Sequence, residues 1–140
     1  MPEEKILLLS IRQPYSRLIL TGKKTFELRK RQPKINCKYA LIYETFPTKA
    51  VIGYFEISRI HVKSIQQIWE ISKQSAGISK TNFEKYYFNK QFGVAIEIKW
   101  SKFLDKPIML EDLGVKTAPQ DFMYLENEHI TKLITEPIKT

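Results

Sequence analysis

The 140-residue sequence is poor in cysteine, histidine and glycine. It has one cysteine, Cys37, and two well-separated histidines, so it can form no intramolecular disulfide and lacks the ligand set of a zinc site. No glycine-rich phosphate loop, nucleophile elbow or low-complexity linker occurs. No apolar run approaches the roughly 20 residues of a membrane span. We therefore expect a cytoplasmic protein that uses no membrane, metal or cofactor.

These absences also restrict the available chemistry. We interpret Cys37, His61 and His129 as ordinary structural residues. A nucleophilic role for the thiol and a proton-transfer role for a histidine are lesser alternatives. Any catalysis would otherwise depend on lysine, glutamate, threonine, tyrosine or arginine, for example through a buried lysine that loses its proton and acts as a base.

Positive charge, in contrast, is abundant and unevenly placed. The net charge is +8, and the segment from Arg12 to Lys34 alone carries eight lysines or arginines and one acid, Glu27, for a net +7. Such clustering is typical of a surface that binds a polyanion, because neutralised phosphates release counterions. A solvated basic face that promotes solubility is the alternative.

The length and the apolar pattern predict one α+β domain over residues 1–140. Hydrophobic residues make up 43% of the chain, which is ordinary for a packed soluble domain. We predict a small mixed β-barrel of five to six strands with short flanking helices. The predicted strands cover residues 5–12, 25–31, 38–45, 50–62 and 91–103. Four helices are predicted: one directly after Pro14, one over residues 64–76, one that begins at Thr81 with Glu84 in a capping box, and one over residues 128–134. Residues 113–125 are predicted to be rich in turns.

The strand after Gly22 combines alternation with charge. Phe26 and Leu28 point to one face, and the other face carries a polar row made of Thr25, Glu27, Arg29 and Arg31. Lys24 precedes this row at the junction of helix and strand, where a side chain can turn towards the mouth of the fold. This junction is the first candidate site, although an exposed pair of Glu27 with Arg29 is the structural alternative, worth roughly 0–1 kcal/mol.

Four aromatic residues, Phe83, Tyr86, Tyr87 and Phe88, lie on the helix that precedes the last long strand. Aromatic side chains at helical spacing are more often a core face than a base-stacking platform. We therefore expect a core role and keep the stacking role as the alternative.

The stretch "SIRQPYSRLILTGKKTFELRKR" resembles the N-terminal signature of the ASCH (activating signal cointegrator homology) domain. That pattern is a strand, a short helix that ends in Gly-x-Lys-Thr, and x-Glu-x-Arg on the next strand. It is matched by Gly22, Lys24, Thr25, Glu27 and Arg29. The segments "LIYETFPTKAVIGYFEI" and "APQDF" are also similar to a prokaryotic branch of the family.

The resemblance implies a β-barrel like that of pseudouridine synthases and archaeosine transglycosylases (PUA-like), with a nucleic-acid-binding cleft beside the first helix. It also implies that Lys24, Thr25, Glu27 and Arg29 lie at or beside that cleft. RNA or a nucleotide-like ligand is then the expected partner. A protein-interaction or ligand-sensing role is kept as a further alternative.

Two hydrolytic activities are implied for some relatives. Certain small ASCH proteins resemble N4-acetylcytidine amidohydrolases that use a lysine at the position of Lys24 and a threonine where this chain has Glu27. Others resemble single-strand ribonucleases, for which Lys24 with Tyr15 or Glu27 would supply the cation and the base. The glutamate at position 27 favours binding over catalysis.

The hypothesis from the sequence divides the charged residues into two groups. Lys24, Glu27 and Arg29 face one base or nucleotide, and Glu27 accepts a hydrogen bond from an amino group of cytosine or guanine. Tyr15 or Tyr43 supplies stacking. The approach to the cleft is lined by phosphate-binding cations: Arg17, Lys23, Lys30, Arg31 and Lys34.

Overall fold

One six-stranded mixed sheet organises the structure, a computed structural model that describes residues 5–126. The strands are β1 (Lys5–Ile11), β2 (Phe26–Arg29), β3 (Cys37–Glu44), β4 (Ala50–Ser64), β5 (Phe92–Ile108) and β6 (Phe122–Leu125). The helices are α1 (Tyr15–Leu20), α2 (Ile65–Ser72) and α3 (Lys80–Tyr86), with a short 3-10 helix at Leu110–Leu113. The helix expected at residues 128–134, and with it His129, lies outside the described residues.

The strand order is β2-β5-β4-β3-β1-β6. β1 runs parallel to β3, and every other neighbouring pair is antiparallel. The aliphatic run of β1 is buried on both faces, as its composition predicts: Leu7 and Leu9 pack into one core cluster, and Ile6 and Leu8 pack into a second cluster. Because β1 is buried in the middle of the protein, Ser10 near its C-terminal end is held in a fixed position.

The α+β class and the mixed sheet are confirmed, but a closed barrel is not. In residues 5–126 the sheet ends at β2 on one side and at β6 on the other, and no ladder joins these two edges. A side chain bridges them instead. Arg29 of β2 donates to the main-chain oxygen of Ser10 in β1 and to that of Asp121, which directly precedes β6.

The helix boundaries differ in part from the expectation. Gly22 has the left-handed φ of 81° expected after α1, and Ser64 opens α2 in a capping box with Gln67. The prediction that Thr81 caps α3 is wrong, because Ser79 is the N-cap and accepts from the main-chain N–H of Asn82.

The segment expected to be rich in turns contains a strand. Four of its residues form β6, in which Met123 pairs with Leu8 and Leu125 with Ile6. A strand this short has little periodicity of its own, so its pairing with the buried β1 decides its conformation. No helix within residues 5–126 has the length and apolarity needed to cross a membrane.

Candidate functional site

A cavity of about 610 Å³ lies where the end of β1, β2, α3 and the segment before β6 meet. Its volume is within the usual range for a small-ligand pocket. The cavity is lined by Ser10, Ile11, Arg12, Tyr15, Lys24, Glu27, Leu28, Arg29, Ala76, Ile78, Asn82, Lys85, Tyr86, Gln120 and Asp121.

Three charged side chains that line this cavity are buried together. Lys24, Glu27 and Arg29 are 3%, 6% and 7% exposed. The Nζ of Lys24 donates to Oε1 of Glu27 and, at 2.8 Å, to the main-chain oxygen of Phe26. The Nε of Arg29 donates to Oε2 of Glu27 at 3.0 Å. We call these three residues the KER cluster.

Local sequence explains how the KER cluster is assembled. The main-chain N–H of Lys24 bonds to Leu18 O at 3.0 Å, which turns the chain from α1 towards β2. In β2, Glu27 and Arg29 are two residues apart on one strand face, while Leu28 packs into the core formed with α2 and α3. The alternation predicted for this strand is therefore confirmed at these positions.

Burial and charge act in opposite directions on the KER cluster. Burial lowers the pKa of Lys24, although the negative charge of Glu27 opposes the shift. Burial would raise the pKa of Glu27, but Lys24 and Arg29 together hold that pKa below its ordinary value. Glu27 therefore remains ionised and is a poor proton acceptor near neutral pH.

Arg29 is held at every side of its guanidinium group. Besides Glu27, it donates from Nη1 to Oδ1 of Asp121 at 2.6 Å and from Nη2 to the main-chain oxygen of Ser10 at 2.9 Å. The other carboxylate oxygen of Asp121 accepts from Arg31 at 3.3 Å. Arg29 thus positions Glu27 and connects the two edges of the sheet.

Aromatic rings with cations above them stand beside the KER cluster. Arg12 lies 5.4 Å from the ring centre of Tyr15, and both residues line the cavity. Lys30 lies 4.6 Å from the ring centre of Tyr86, whose hydroxyl donates to Leu28 O at 3.3 Å. Burial raises the pKa of Tyr86 to about 12, so this hydroxyl stays protonated.

The structure brings together only part of the predicted site. Lys24, Glu27, Arg29 and Tyr15 line the cavity. Thr25 lies beside it and donates to the Ser75 hydroxyl at 2.7 Å. Four exposed cations of the expected phosphate approach are not lining residues: Lys23, Lys30, Arg31 and Lys34. Tyr43, the other residue considered for stacking, is 5% exposed within the core cluster that contains Leu8.

Arg17 belongs to a different charged network. It donates from Nε to Oε1 of Glu44 at 2.8 Å and from Nη2 to Oε2 at 2.9 Å. Glu44 is fully buried and also accepts from Ser16, Gln13 and Thr48. The hydrogen bonds from Arg17, followed by those from the neutral donors, lower the pKa of Glu44 to about 2.

Several lining residues were not singled out from the sequence. Asn82 and Lys85 are two of them, and they share one face of α3 with Tyr86, which the sequence had placed in the aromatic group. The spacing i, i+3 and i+4 could have signalled this shared surface. Phe83 and Tyr87 are 2% exposed and pack into the core with α2, which confirms the core role expected for these two residues. Tyr86 lines the cavity, and the core role expected for Phe88 is wrong, because Phe88 is 73% exposed. Asp121, in the "APQDF" segment, had no local signal of a partnership with Arg29.

Metal ligands do not cluster in the described part of the chain. Within residues 5–126 there is no group of three or more histidine, cysteine, aspartate or glutamate side chains that could hold a metal ion.

A model of the ASCH domain family matches residues 9–102, a span that includes the KER cluster, α2, α3 and most of β5. The chain belongs to the ASCH domain family. The resemblance inferred from the Gly-x-Lys-Thr and x-Glu-x-Arg signature is confirmed by this match.

Individual ASCH relatives agree with the observed fold. An ASCH domain-containing ribonuclease from Zymomonas mobilis is 27% identical and covers 96% of this chain and 93% of its own length. A crystal structure of a serine-to-alanine variant of ASCH from the same species superposes with a TM-score of 0.84 and 26% identity over 95% of this chain and 96% of that chain.

A second kind of relative contains only a matching segment. The large ribosomal subunit protein uL22 of Ureaplasma parvum serovar 3 is 34% identical over 87 residues. This match covers 61% of the present chain, which spans 28% of the length of that relative.

Proposed function

We propose that this protein binds single-stranded RNA and holds one nucleotide in the cavity above the KER cluster. The observation that carries the proposal is a 610 Å³ cavity, large enough for a nucleotide, with a buried Lys24–Glu27–Arg29 cluster among its lining residues. RNA-binding modules commonly take bases from single strands, where the bases are free to leave the stack. Membership of the ASCH family supports the same class of ligand.

The electrostatics of the lining residues support an anionic ligand. Four cations, Arg12, Lys24, Arg29 and Lys85, line the cavity together with two acids, Glu27 and Asp121. The acids are paired with Lys24 and Arg29, whereas among the described residues neither Arg12 nor Lys85 forms an ion pair. Arg12 and Lys85 are therefore the cations that we assign to phosphate binding.

The exposed cations are assigned to the wider approach. Lys23, Lys30 and Arg31 lie close in sequence to the cavity residues and would attract the strand before it enters, which makes the mouth a basic cleft. The Arg29 bridge between the sheet edges supports a barrel-like enclosure of the same space. A cytoplasmic location and the additional binding of a protein partner stay predictions.

Ribonuclease activity is the second candidate, because the relative that matches nearly the full length is named a ribonuclease. Lys24 would supply a cation for the negative charge that develops on the phosphoryl oxygens. A base is harder to find: the pKa of Glu27 is lowered, and burial keeps Tyr86 protonated. Binding is for this reason the stronger proposal.

An N4-acetylcytidine amidohydrolase receives less support from the same geometry. Where those hydrolases have a threonine, this protein has Glu27, whose two oxygens are bound to Lys24 and Arg29. The neighbouring hydroxyl of Thr25 donates to Ser75 and is not among the lining groups.

The test is the salt dependence of binding to a fluorescein-labelled single-stranded RNA of about ten nucleotides, measured by fluorescence anisotropy. We expect a log–log slope that corresponds to roughly 3–5 phosphate contacts, at about −0.7 per contact. Replacement of the cavity residue Lys85 (Lys85→Met) should lessen the slope by about one contact. Lys80→Met removes the same charge from the exposed start of α3 and serves as the control.

Two results would contradict the proposal. The first is an absence of measurable binding at low salt. The second is an equal change in slope for Lys80→Met and Lys85→Met, which would mean that the cavity is not the binding site. Cleavage of the same RNA in the presence of a metal chelator, abolished in Lys24→Met, would instead favour the ribonuclease.

A further inference from the structure

We propose that the cavity selects a nucleobase that presents a carbonyl oxygen to Lys24 at position 4 of a pyrimidine or position 6 of a purine, and so prefers uracil over cytosine and a 6-oxopurine over adenine. The inference rests on the proposed function, because it names the base recognised at that same site. It reverses the role that the sequence suggested for Glu27, which was to accept from a base amino group.

Both carboxylate oxygens of Glu27 are already bound to cations. Oε1 accepts from Lys24, and Oε2 accepts from Nε of Arg29 at 3.0 Å while Nη2 lies 2.8 Å away. The residue is also only 6% exposed. A carboxylate held between two cations at this degree of burial acts as a positioning group for them, and a ligand amino group would meet the cations first.

Arg29 is equally occupied. A guanidinium carries five N–H groups in a fixed planar arrangement. In Arg29 these groups face two carboxylates, those of Glu27 and Asp121. They also face two main-chain oxygens, those of Asp121 and Ser10. To bind a base, Arg29 would have to release the bridge between the two sheet edges.

Lys24 is the member of the cluster with unused capacity. An ammonium has three N–H groups, and in Lys24 they have two partners, Phe26 O and Glu27 Oε1. The aliphatic part of the side chain passes close to the backbone at Gly77, where an added Cβ would lie 3.2 Å from Lys24 Cδ. A donor that is only 3% exposed is well suited to discriminate between base edges.

The charge of the surroundings supports a donor role. The KER cluster has one more positive than negative charge, and both carboxylate oxygens of the nearby Asp121 are bound to Arg29 and Arg31. The site therefore attracts electronegative atoms. Uracil has an oxygen at position 4 where cytosine has an amino group, and inosine differs from adenosine in the same way at position 6.

A competition experiment with RNA of equal length and charge tests the inference. Unlabelled oligouridylate and oligocytidylate of about eight nucleotides compete with a fluorescein-labelled oligouridylate for the wild-type protein. We expect uridylate to bind about tenfold more tightly, since a buried hydrogen bond to a charged donor is replaced by an unfavourable contact between two donors. Oligoinosinate against oligoadenylate repeats the comparison and needs no variant.

Two lysine variants locate the effect. Lys24→Met keeps the aliphatic volume beside Gly77 and should remove the preference between the two bases. Lys23→Met removes the same charge from an exposed neighbouring position and should retain the preference. Circular dichroism and thermal unfolding show whether each variant is folded.

The possible failures are distinguishable. Tighter binding of cytidylate would overturn the inference and restore Glu27 as the reading group. Equal affinity for both polymers, or an unchanged preference in folded Lys24→Met, would also overturn it while leaving RNA binding intact. If neither polymer binds at low salt, the proposed function itself is wrong.

Discussion

Glu27 and Glu44 are both buried and both bound to an arginine, yet only Glu27 lies at the cavity. Glu27 contacts two cations, Lys24 and Arg29, and so its surroundings keep a positive charge. Glu44 contacts one cation, Arg17, and three neutral donors. Its charge is therefore matched one to one.

The difference indicates how a structural ion pair can be told from a binding site. The Glu44 network joins α1 to the end of β3 and has both carboxylate oxygens satisfied, so it stabilises the fold and leaves Glu44 no acceptor for a ligand. The KER cluster also fixes a fold element, but its excess cation and adjoining cavity leave a donor for a ligand. Four predictions follow from this contrast.

The largest effect is expected from removal of the Glu44 carboxylate. Glu44→Ala leaves Ser16 without its buried acceptor and Arg17 without its partner, and should lower the free energy of unfolding by about 4 kcal/mol. Urea denaturation measures this loss. RNA affinity of the folded protein should be unchanged, and a weakened affinity at temperatures where the variant is folded would contradict the separation of the two networks.

The second effect is a loss of stability in acid. The pKa of Glu44 is about 2 in the folded protein against an ordinary 4.5. Ionised Glu44 therefore favours folding above about pH 5, and this stabilisation, about 3 kcal/mol, is lost as the pH falls from there towards 2.

Glu44→Gln isolates that contribution. Urea denaturation at a series of pH values should show a smaller decline for the variant than for the wild type. Some decline should remain, because Glu27 also has a lowered pKa and its effect has the same sign. Parallel declines in the two proteins would show that Glu44 does not contribute.

The third effect is a change of binding caused by a single methyl group. Gly77 and Gly22 both have left-handed φ values, 70° and 81°, so alanine at either position should cost about 1 kcal/mol of stability. Only at Gly77 does the new Cβ meet Lys24, at 3.2 Å from its Cδ and equally close to Cδ1 of Leu18, whereas nothing lies within 4 Å at Gly22.

We therefore expect Gly77→Ala to weaken RNA binding about fivefold, which is the consequence of displacing a positioned donor. Gly22→Ala, with the same backbone cost, should bind normally. Anisotropy titrations of both variants, with unfolding curves alongside, measure the two quantities separately. Equal RNA affinities would show that the position of Lys24 is not important for binding.

The smallest effect is expected from Arg17. Because Arg17 is paired with Glu44, Arg17→Met should change RNA affinity by less than about twofold at physiological salt. Arg12→Met removes an unpaired cation that lines the cavity and should weaken binding about threefold or more. A reversed order would mean that RNA follows the face of α1 that carries Arg17.

Local patterns in the sequence were sufficient for most of the secondary structure. The aliphatic run of β1 and the alternation of β2 are short-range properties, and so is the left-handed position of Gly22. They placed Lys24, Glu27 and Arg29 beside one another, since all three lie within six consecutive positions. β6 was missed because a strand of four residues has almost no periodicity. The N-cap of α3 was misplaced because Ser79 and Thr81 are both residues that commonly cap a helix.

The sequence by itself determined the family signature, the excess of positive charge and the grouping of Lys24, Glu27 and Arg29. Only the tertiary structure decided which of these groups are already occupied. Asp121 is 92 residues from Arg29, and Glu44 is 27 residues from Arg17. The first contact joins the two opposite edges of the sheet, and the second joins α1 to the end of β3. Each contact changes what a charged residue can offer to a ligand.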